Sequence, residues 1–293
     1  MFIIKYKKVF VLISVCLVAL SLASIFIFGF KLGIDFKGGA QMEVTFAGAR
    51  PEQSIVKDEL SKLSIGEALI QPTGTDGYSI KTRALSESER ASVLSALGND
   101  ATEKTFSSIG PSVGAELARK SIITFILVSL GIIFFIAFSF RKVSKPISSW
   151  KYGLIAIGTL IHDILIPVGV FVILSKVFGA EVDTLFVVAI LTILGLSVSD
   201  TIVVFDRIRE NLRGGHFKTF EEAVGKSLEQ VFTRSIATSL TVILALLSLV
   251  FWGPDSTRNF ALMLTAGMFF GTYSSIFLAS PLLVFAKEWQ EKK

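Results

Sequence analysis

The chain has little of what a soluble active site is built from. It holds one cysteine and two histidines in 293 residues, and only 18% of its residues are charged. The lone Cys16 excludes a disulfide within the chain; inside an apolar stretch it reads as a small lipid- or helix-facing residue. His162 and His216 are far apart and no His-Glu-x-x-His occurs, so a membrane metalloprotease has no ligand set. No Gly-x-Ser-x-Gly presents a serine nucleophile. Gly225-Lys-Ser227 imitates the end of a Walker A loop, but the glycine required five positions earlier is Phe220 and no strand precedes it. Nucleotide binding is discarded, and neither cofactor nor metal is expected. The chain does not read as an enzyme.

What is abundant is hydrocarbon. Hydrophobic residues make up 52% of the chain and the mean hydropathy is +0.66, with the charges gathered between long uncharged stretches. Six runs of about 20 residues, each long enough to span a bilayer, are Val9–Phe30, Ser121–Phe140, Tyr152–Leu174, Leu185–Phe205, Ser235–Phe251 and Phe260–Phe285. The first could pass for a signal peptide, since Lys5, Lys7 and Lys8 precede it, but its apolar stretch outruns a usual h-region and predicts a retained anchor. Lys and Arg set the orientation. With the N-terminus inside, the inner segments carry Arg141, Lys142, Lys145 and Lys151, then Arg207, Arg209, Arg213, Lys218, Lys226 and Arg234, then Lys287, Lys292 and Lys293. The two short outer loops carry only Lys176 and Arg258, so both termini are expected in the cytoplasm. The net charge of +5 is mostly this bias, and no nucleic-acid signature accompanies it.

Between the first two runs lies one polar segment, which the topology puts outside the membrane. It reads strand, helix, strand, strand, helix, strand. Gln41–Phe46 alternates; Pro51 opens a helix with Val56, Leu60 and Leu63 on one face; Gly66 ends it. Ala68–Gln71 and Tyr78–Thr82 flank a Gly74–Gly77 turn, Ser86 and Glu89 form a capping box for a helix through Leu97, and Glu103–Ile109 closes the series. That order is the ferredoxin-like split βαβ, expected as an interaction module. Gly33–Gly39 and Ile109–Gly114 read as exit and re-entry turns. The predicted fold is a membrane all-α bundle of six helices with a small α+β extracytoplasmic domain between the first two. Its parts are an anchor over residues 1–30, the outer domain over 31–120, and the remaining five helices over 121–293.

Asp200 is the residue to explain. It lies in the fourth run, about a turn and a half of helix before the charged cluster at Asp206. A carboxylate near a bilayer centre costs about 2.5–3.5 kcal/mol on insertion scales, and membrane helices seldom carry one without function. Arg234 heads the fifth helix, followed by Thr238 and Thr241, so an acid, a cation and hydroxyls on adjacent helices can form a proton relay. The alternative is a fixed Asp200–Arg234 salt bridge that sets helix register. His162 and Asp163 in the third run point about 100° apart and are expected not to share one site. One of them faces the bundle, either as helix glue or as an auxiliary relay group. Thr192, Gly195 and Ser199, with Ser197 nearby, form a small-residue face for packing; Gly267, Gly271 and Ser275 make a second seam in the sixth run. Phe220–Phe232 reads as an amphipathic segment along the inner surface, ahead of a fifth helix beginning at Arg234.

Several stretches together resemble the SecD/SecF family of protein-export membrane proteins, in the resistance-nodulation-division superfamily. They are Gly33–Gly39, Ile109–Gly114, Ser199-Asp-Thr-Ile-Val-Val-Phe-Asp-Arg-Ile-Arg-Glu-Asn211, Arg234–Thr241 and Gly271–Pro281, in the family's order. The resemblance implies a subunit of the bacterial inner membrane that pairs with SecD, works with the SecYEG channel, and uses the proton-motive force to draw preproteins across. It also implies Asp200 as the proton-carrying acid, with Arg234 on the same path. Lys37 and Ala40 stand where the family often has small hydroxyl residues, and Ala237 where many members have a polar one. Competing readings are a non-conducting brace for the translocon and half of a small-molecule exporter.

Overall fold

The computed structural model describes residues 2–140, 147–215 and 217–291. Arg141, Lys142, Lys145, His216, Lys292 and Lys293, which enter the arguments above, lie outside the described residues. The helices are α1 (Lys7–Phe28), α2 (Gln53–Ser61), α3 (Glu87–Ala96), α4 (Pro111–Phe140), α5 (Ser149–Phe178), α6 (Thr184–Gly214), α7 (Phe220–Trp252), α8 (Asp255–Ser274) and α9 (Ser280–Glu291). The strands are β1 (Gly39–Phe46), β2 (Leu69–Thr73), β3 (Gly77–Thr82) and β4 (Ala101–Ile109). Two compact units result: residues 31–123 with 181–184, and the remainder.

The smaller unit is a four-stranded antiparallel sheet in the order β2-β3-β1-β4, with α2 and α3 as the crossovers. This is the split βαβ arrangement read from the element order. Alternation in β1 sends Ala40, Met42, Val44 and Phe46 into the core, where they meet Val56 and Leu60 of α2, Val93 of α3 and Tyr78 and Ile80 of β3. Burying each large apolar side chain contributes roughly 1.5–3 kcal/mol, which is what orders so short a set of elements. Ser86 caps α3 as expected: its N–H donates to Glu89 Oε2 at 2.8 Å while the Glu89 N–H returns to Ser86 Oγ. Arg83 pairs with Glu89, and that contact with the Ser86 bonds holds the Glu89 carboxyl down at about 2.

Gly33–Gly39 is a single helical turn, Ile34–Lys37, closed by Gly38 at φ 76° and Gly39 at φ 144°. A Cβ on Gly38 would stand 2.8 Å from Cα of Pro111, so the turn lies directly on the re-entry loop, and only glycine fits both that contact and that φ. The sequence reading did not foresee the next contact. Residues 181–184, between α5 and α6, are clasped to the same turn: Leu32 bridges Val182, and Glu181 pairs with Lys31 at 3.2 Å and Lys81 at 2.8 Å. The Asp35 carboxylate accepts the N–H of Thr184 at 2.9 Å, capping the first turn of α6.

In the larger unit six helical stretches are long and apolar enough to cross a membrane: α1, α4, α5, α6, α7, and α8 continued into α9. Burial sorts them. Over half of the most apolar stretch is buried in α5 (56%) and in the last span (61%), against 6% in α4, so α5 and the last span are the centre and α4 lies on the outside. Two backbone irregularities fall in that centre. Pro167 inside α5 has no N–H for the carbonyl of Asp163 one turn back. Pro281 likewise cannot serve Phe277, and the helix there widens into a π-turn, Ser275–Ala279, between α8 and α9.

One expectation is corrected at the inner end. Phe220–Phe232 is not a separate surface helix, nor does the fifth helix begin at Arg234; α7 runs unbroken from Phe220. Thr219 caps it, accepting the N–H of Glu222 at 3.2 Å. No proline interrupts it, and its apolar face (Ala223, Val224, Leu228, Val231) is buried. Asn211 of α6 donates to Ser227 and to Gln230, each at 2.7 Å, so protein takes the place of the lipid surface.

Candidate functional site

Two buried carboxylates lie on neighbouring spans, and each is set by hydroxyls from other helices. Asp200, on α6, is half-buried. Its Oδ1 accepts from Ser235 Oγ of α7 at 2.8 Å, and its Oδ2 is buried with no hydrogen-bond partner among the described residues. Beside it is a cavity of about 150 Å³, lined among others by Asp200, Arg234, Ser235, Thr238, Ser197 and Gly271. At about 30 Å³ per water, that space, lined by apolar as well as polar groups, has room for a few waters.

Arg234 is exposed and lines the cavity, but no ion pair joins it to Asp200 among the described residues. The fixed salt bridge is therefore not the arrangement present; the acid's bonded partner is Ser235, the next residue along. Thr238 lines the same cavity. Thr241 does not: it is exposed, its hydroxyl donating to the Ala237 carbonyl at 2.8 Å.

His162 and Asp163 overturn the argument that they cannot share a site. Both are buried, at 3% and 0% exposure, and His162 Nδ1 lies 2.8 Å from Asp163 Oδ1. The 100° between them on the helix is real, but α5 is enclosed on more than one side, so both directions point inward and the two side chains meet laterally. Asp163 Oδ2 accepts from Ser274 of α8 at 2.8 Å and, in a short contact, from Ser197 of α6. The His162 ring stacks on Tyr273, whose hydroxyl donates to the Phe10 carbonyl of α1 at 3.0 Å.

The small-residue faces divide. On the sixth span, a Cβ on Gly267 would fall 2.3 Å from Ile193 of α6; Gly271 stands over Ser197, and Ser275 lies 3.3 Å from Thr201. This seam carries α8 close to α6, although the π-turn breaks its four-residue spacing after Ser274. The face of Gly195 and Ser199 is different. Both residues are exposed, nothing lies within 4 Å of a Cβ on Gly195, and Thr192 turns its hydroxyl back to the Val188 carbonyl. Among the described residues nothing packs against Gly195, while Ser199 lines the rim of the Asp200 cavity.

Ser235 and Ser274 escaped the sequence reading as site residues. The available signal was weak: each is a serine beside a residue already singled out, Arg234 and Ser275. No group of three metal-binding side chains occurs among the described residues.

A family model described as the C-terminal part of the protein export membrane proteins SecD/SecF matches residues 89–289, more than half of the chain. The chain belongs to the SecD/SecF family. A second model, the SecD/SecF GG motif, matches residues 23–49, which include the Gly38-Gly39 turn. Protein translocase subunit SecF of Thermobaculum terrenum is 42% identical over 99% of this chain and 94% of its own length. The Synechocystis subunit of the same name is 34% identical over 98% and 92%. Among solved structures, SecDF of Thermus thermophilus, titled a translocon-associated membrane protein, superposes with a TM-score of 0.82 at 31% identity over 98% of this chain. SecDF in its super-membrane-facing form gives 0.67 at 30% identity. In both the chain spans 38% of the longer SecDF chain. Within the SecD/SecF family its named relatives place it on the SecF side.

Proposed function

We propose that this SecF-type subunit is half of a proton-driven protein-export motor. It pairs with SecD, works beside the SecYEG channel and helps draw preproteins across the membrane; its work is transport, with no chemical turnover of its own. Both termini are cytoplasmic, on the Lys/Arg bias of the short loops, and the α+β unit is extracytoplasmic. Asp200 carries the proton and Arg234 modulates it.

One observation carries the reading: Asp200 lies mid-span beside a cavity, with Ser235 as its hydroxyl partner and its other oxygen buried without a hydrogen-bond partner among the described residues. A carboxylate so held can gain and lose a proton as helices shift, because little else has to rearrange. The exposed Gly195 and Ser199 face and the exposed Arg234 support a second membrane half alongside. The test is secretion by inverted membrane vesicles carrying Asp200→Asn. The gradient-dependent step should disappear while binding of the partner subunit persists. Unchanged secretion would overturn the reading, and loss of export only on deleting residues 31–120 would point to a brace instead.

A further inference from the structure

Asp200 is not the last acid on its own path. Ser197 lines the Asp200 cavity and, in the same structure, donates its hydroxyl to Asp163 Oδ2. Behind Asp163 stands His162, its Nδ1 at 2.8 Å from Oδ1 and its Nε2 buried without a partner among the described residues. Buried polar atoms are nearly always bonded, so an orphaned imidazole nitrogen this deep calls for a role. A hydroxyl thus connects the cavity to a buried Asp–His pair.

We propose that the Asp163–His162 pair is a second proton-holding station, loaded from the Asp200 cavity through Ser197. The inference rests on the proton-driven reading above and extends it. In the step, protonated Asp200 gives its proton through a cavity water to Ser197 Oγ as Ser197 passes its own hydroxyl proton to Asp163 Oδ2. The water and the serine are unchanged, Asp200 is left as its carboxylate, and Asp163 goes from carboxylate to acid. His162 keeps its Nδ1 against Oδ1 throughout.

Ser274 sets when the station accepts. Its hydroxyl lies 2.8 Å from Asp163 Oδ2 and 2.9 Å from the Gly271 carbonyl, and a hydroxyl has one proton to donate. Given to Asp163, that proton stabilises the anion; given to Gly271, it leaves the carboxylate a donor short and ready to be protonated. Ser274 is the last residue before the π-turn, and Pro167 loosens the backbone opposite, at Asp163. Such turns give a helix two closely spaced arrangements and recur at functional positions. Few other groups near the pair can carry charge. Tyr273 stacks on His162, Asp200 lies on α6, and Cys16 of α1 is exposed. At the inner end, Lys287 and Glu288 are taken by Glu291 and Lys7.

The test uses the full chain with its partner subunit in liposomes, read by infrared difference spectra between acid and alkaline buffer. Two protonated-carboxyl bands should titrate in the wild type; Asp200→Asn should remove one and Asp163→Asn the other. Ser274→Ala, which keeps both acids and guards against a misfolded Asp163 variant, should displace the frequency of the Asp163 band alone. Ser197→Ala should slow gradient-driven export about a hundredfold, the scale of losing one positioned proton-transfer group. A spectrum with no band lost on Asp163→Asn, or none displaced by Ser274→Ala, overturns the proposal. The failures are distinguishable, since the infrared titration reads Asp163 whether or not export depends on Asp200.

Discussion

Asp163 and Asp200 are both acids among hydrocarbon, and they are held in opposite ways. Asp163 has no exposed surface and is bonded by His162, Ser197 and Ser274 from three helices. Asp200 is half-buried and bonded by Ser235, with its other oxygen unbonded among the described residues. A buried polar group costs little when all its bonds are made and much when some are not. The contrast teaches that burial by itself does not say how an acid changes charge; the count of fixed partners sets how much must rearrange when it does. Asp163 joins three spans, so a change in its charge has to go with a rearrangement of its partners such as Ser274, whereas Asp200 can change charge with less rearrangement.

The sharpest test of that contrast is to separate activity from stability. Asp200→Asn should lower gradient-driven export by about a hundredfold or more, the scale of a lost proton-transfer group. Its unfolding in detergent should move by less than about 1 kcal/mol, since a single bond to Ser235 is at stake. Asp163→Leu should do the reverse first. It leaves an imidazole and two serine hydroxyls without their acceptor, and denaturant unfolding should show a loss of about 3–5 kcal/mol. Equal destabilisation by the two substitutions would break the comparison.

The two faces of α6 give a finer version. Gly267→Val pushes a side chain into Ile193 on the packed face and should cost roughly 1–3 kcal/mol in the same unfolding measurement. Gly195→Val, on the open face, should stay within about 0.5 kcal/mol for the lone chain and instead weaken co-purification with the partner subunit. The smallest effect is expected from a third carboxylate, one held by donors in water. Glu89 has its pKa lowered from 4.5 to about 2, chiefly by the Arg83 hydrogen bond and then by Ser86. Being depressed in the folded state, it adds stability that is complete above 4.5 and lost as pH falls through about 2. Glu89→Gln should flatten that acid limb, seen as amide protection factors in α3 that are lower and no longer fall with pH there.

Much of this was legible before any coordinates. Periodicity and length fixed the six spans, because a spanning helix must carry its apolar surface within its own residues. The α+β unit was legible from Ser86 and Glu89, the Gly74–Gly77 turn and the alternation of Gln41–Phe46, each a local signal. The reading failed where the environment of a helix mattered more than its own pattern. The angle between His162 and Asp163 was right, yet the conclusion was wrong, because α5 is enclosed. The Thr192, Gly195 and Ser199 face looked like packing, yet among the described residues nothing stands against Gly195 at its middle. The clasp of residues 181–184 onto the Gly33–Gly39 turn joins segments nearly 150 residues apart, a distance at which no short-range signal exists.

What the order of residues determined alone was composition-borne: a membrane protein, its spans, its one α+β unit and the acid that has no ordinary reason to be there. Tertiary structure decided which hydroxyls reach which carboxylate and which glycine meets a neighbour. Those choices depend on how spans distant in the chain pack side by side. A helix's own sequence states which face is apolar or small, but not what stands opposite it.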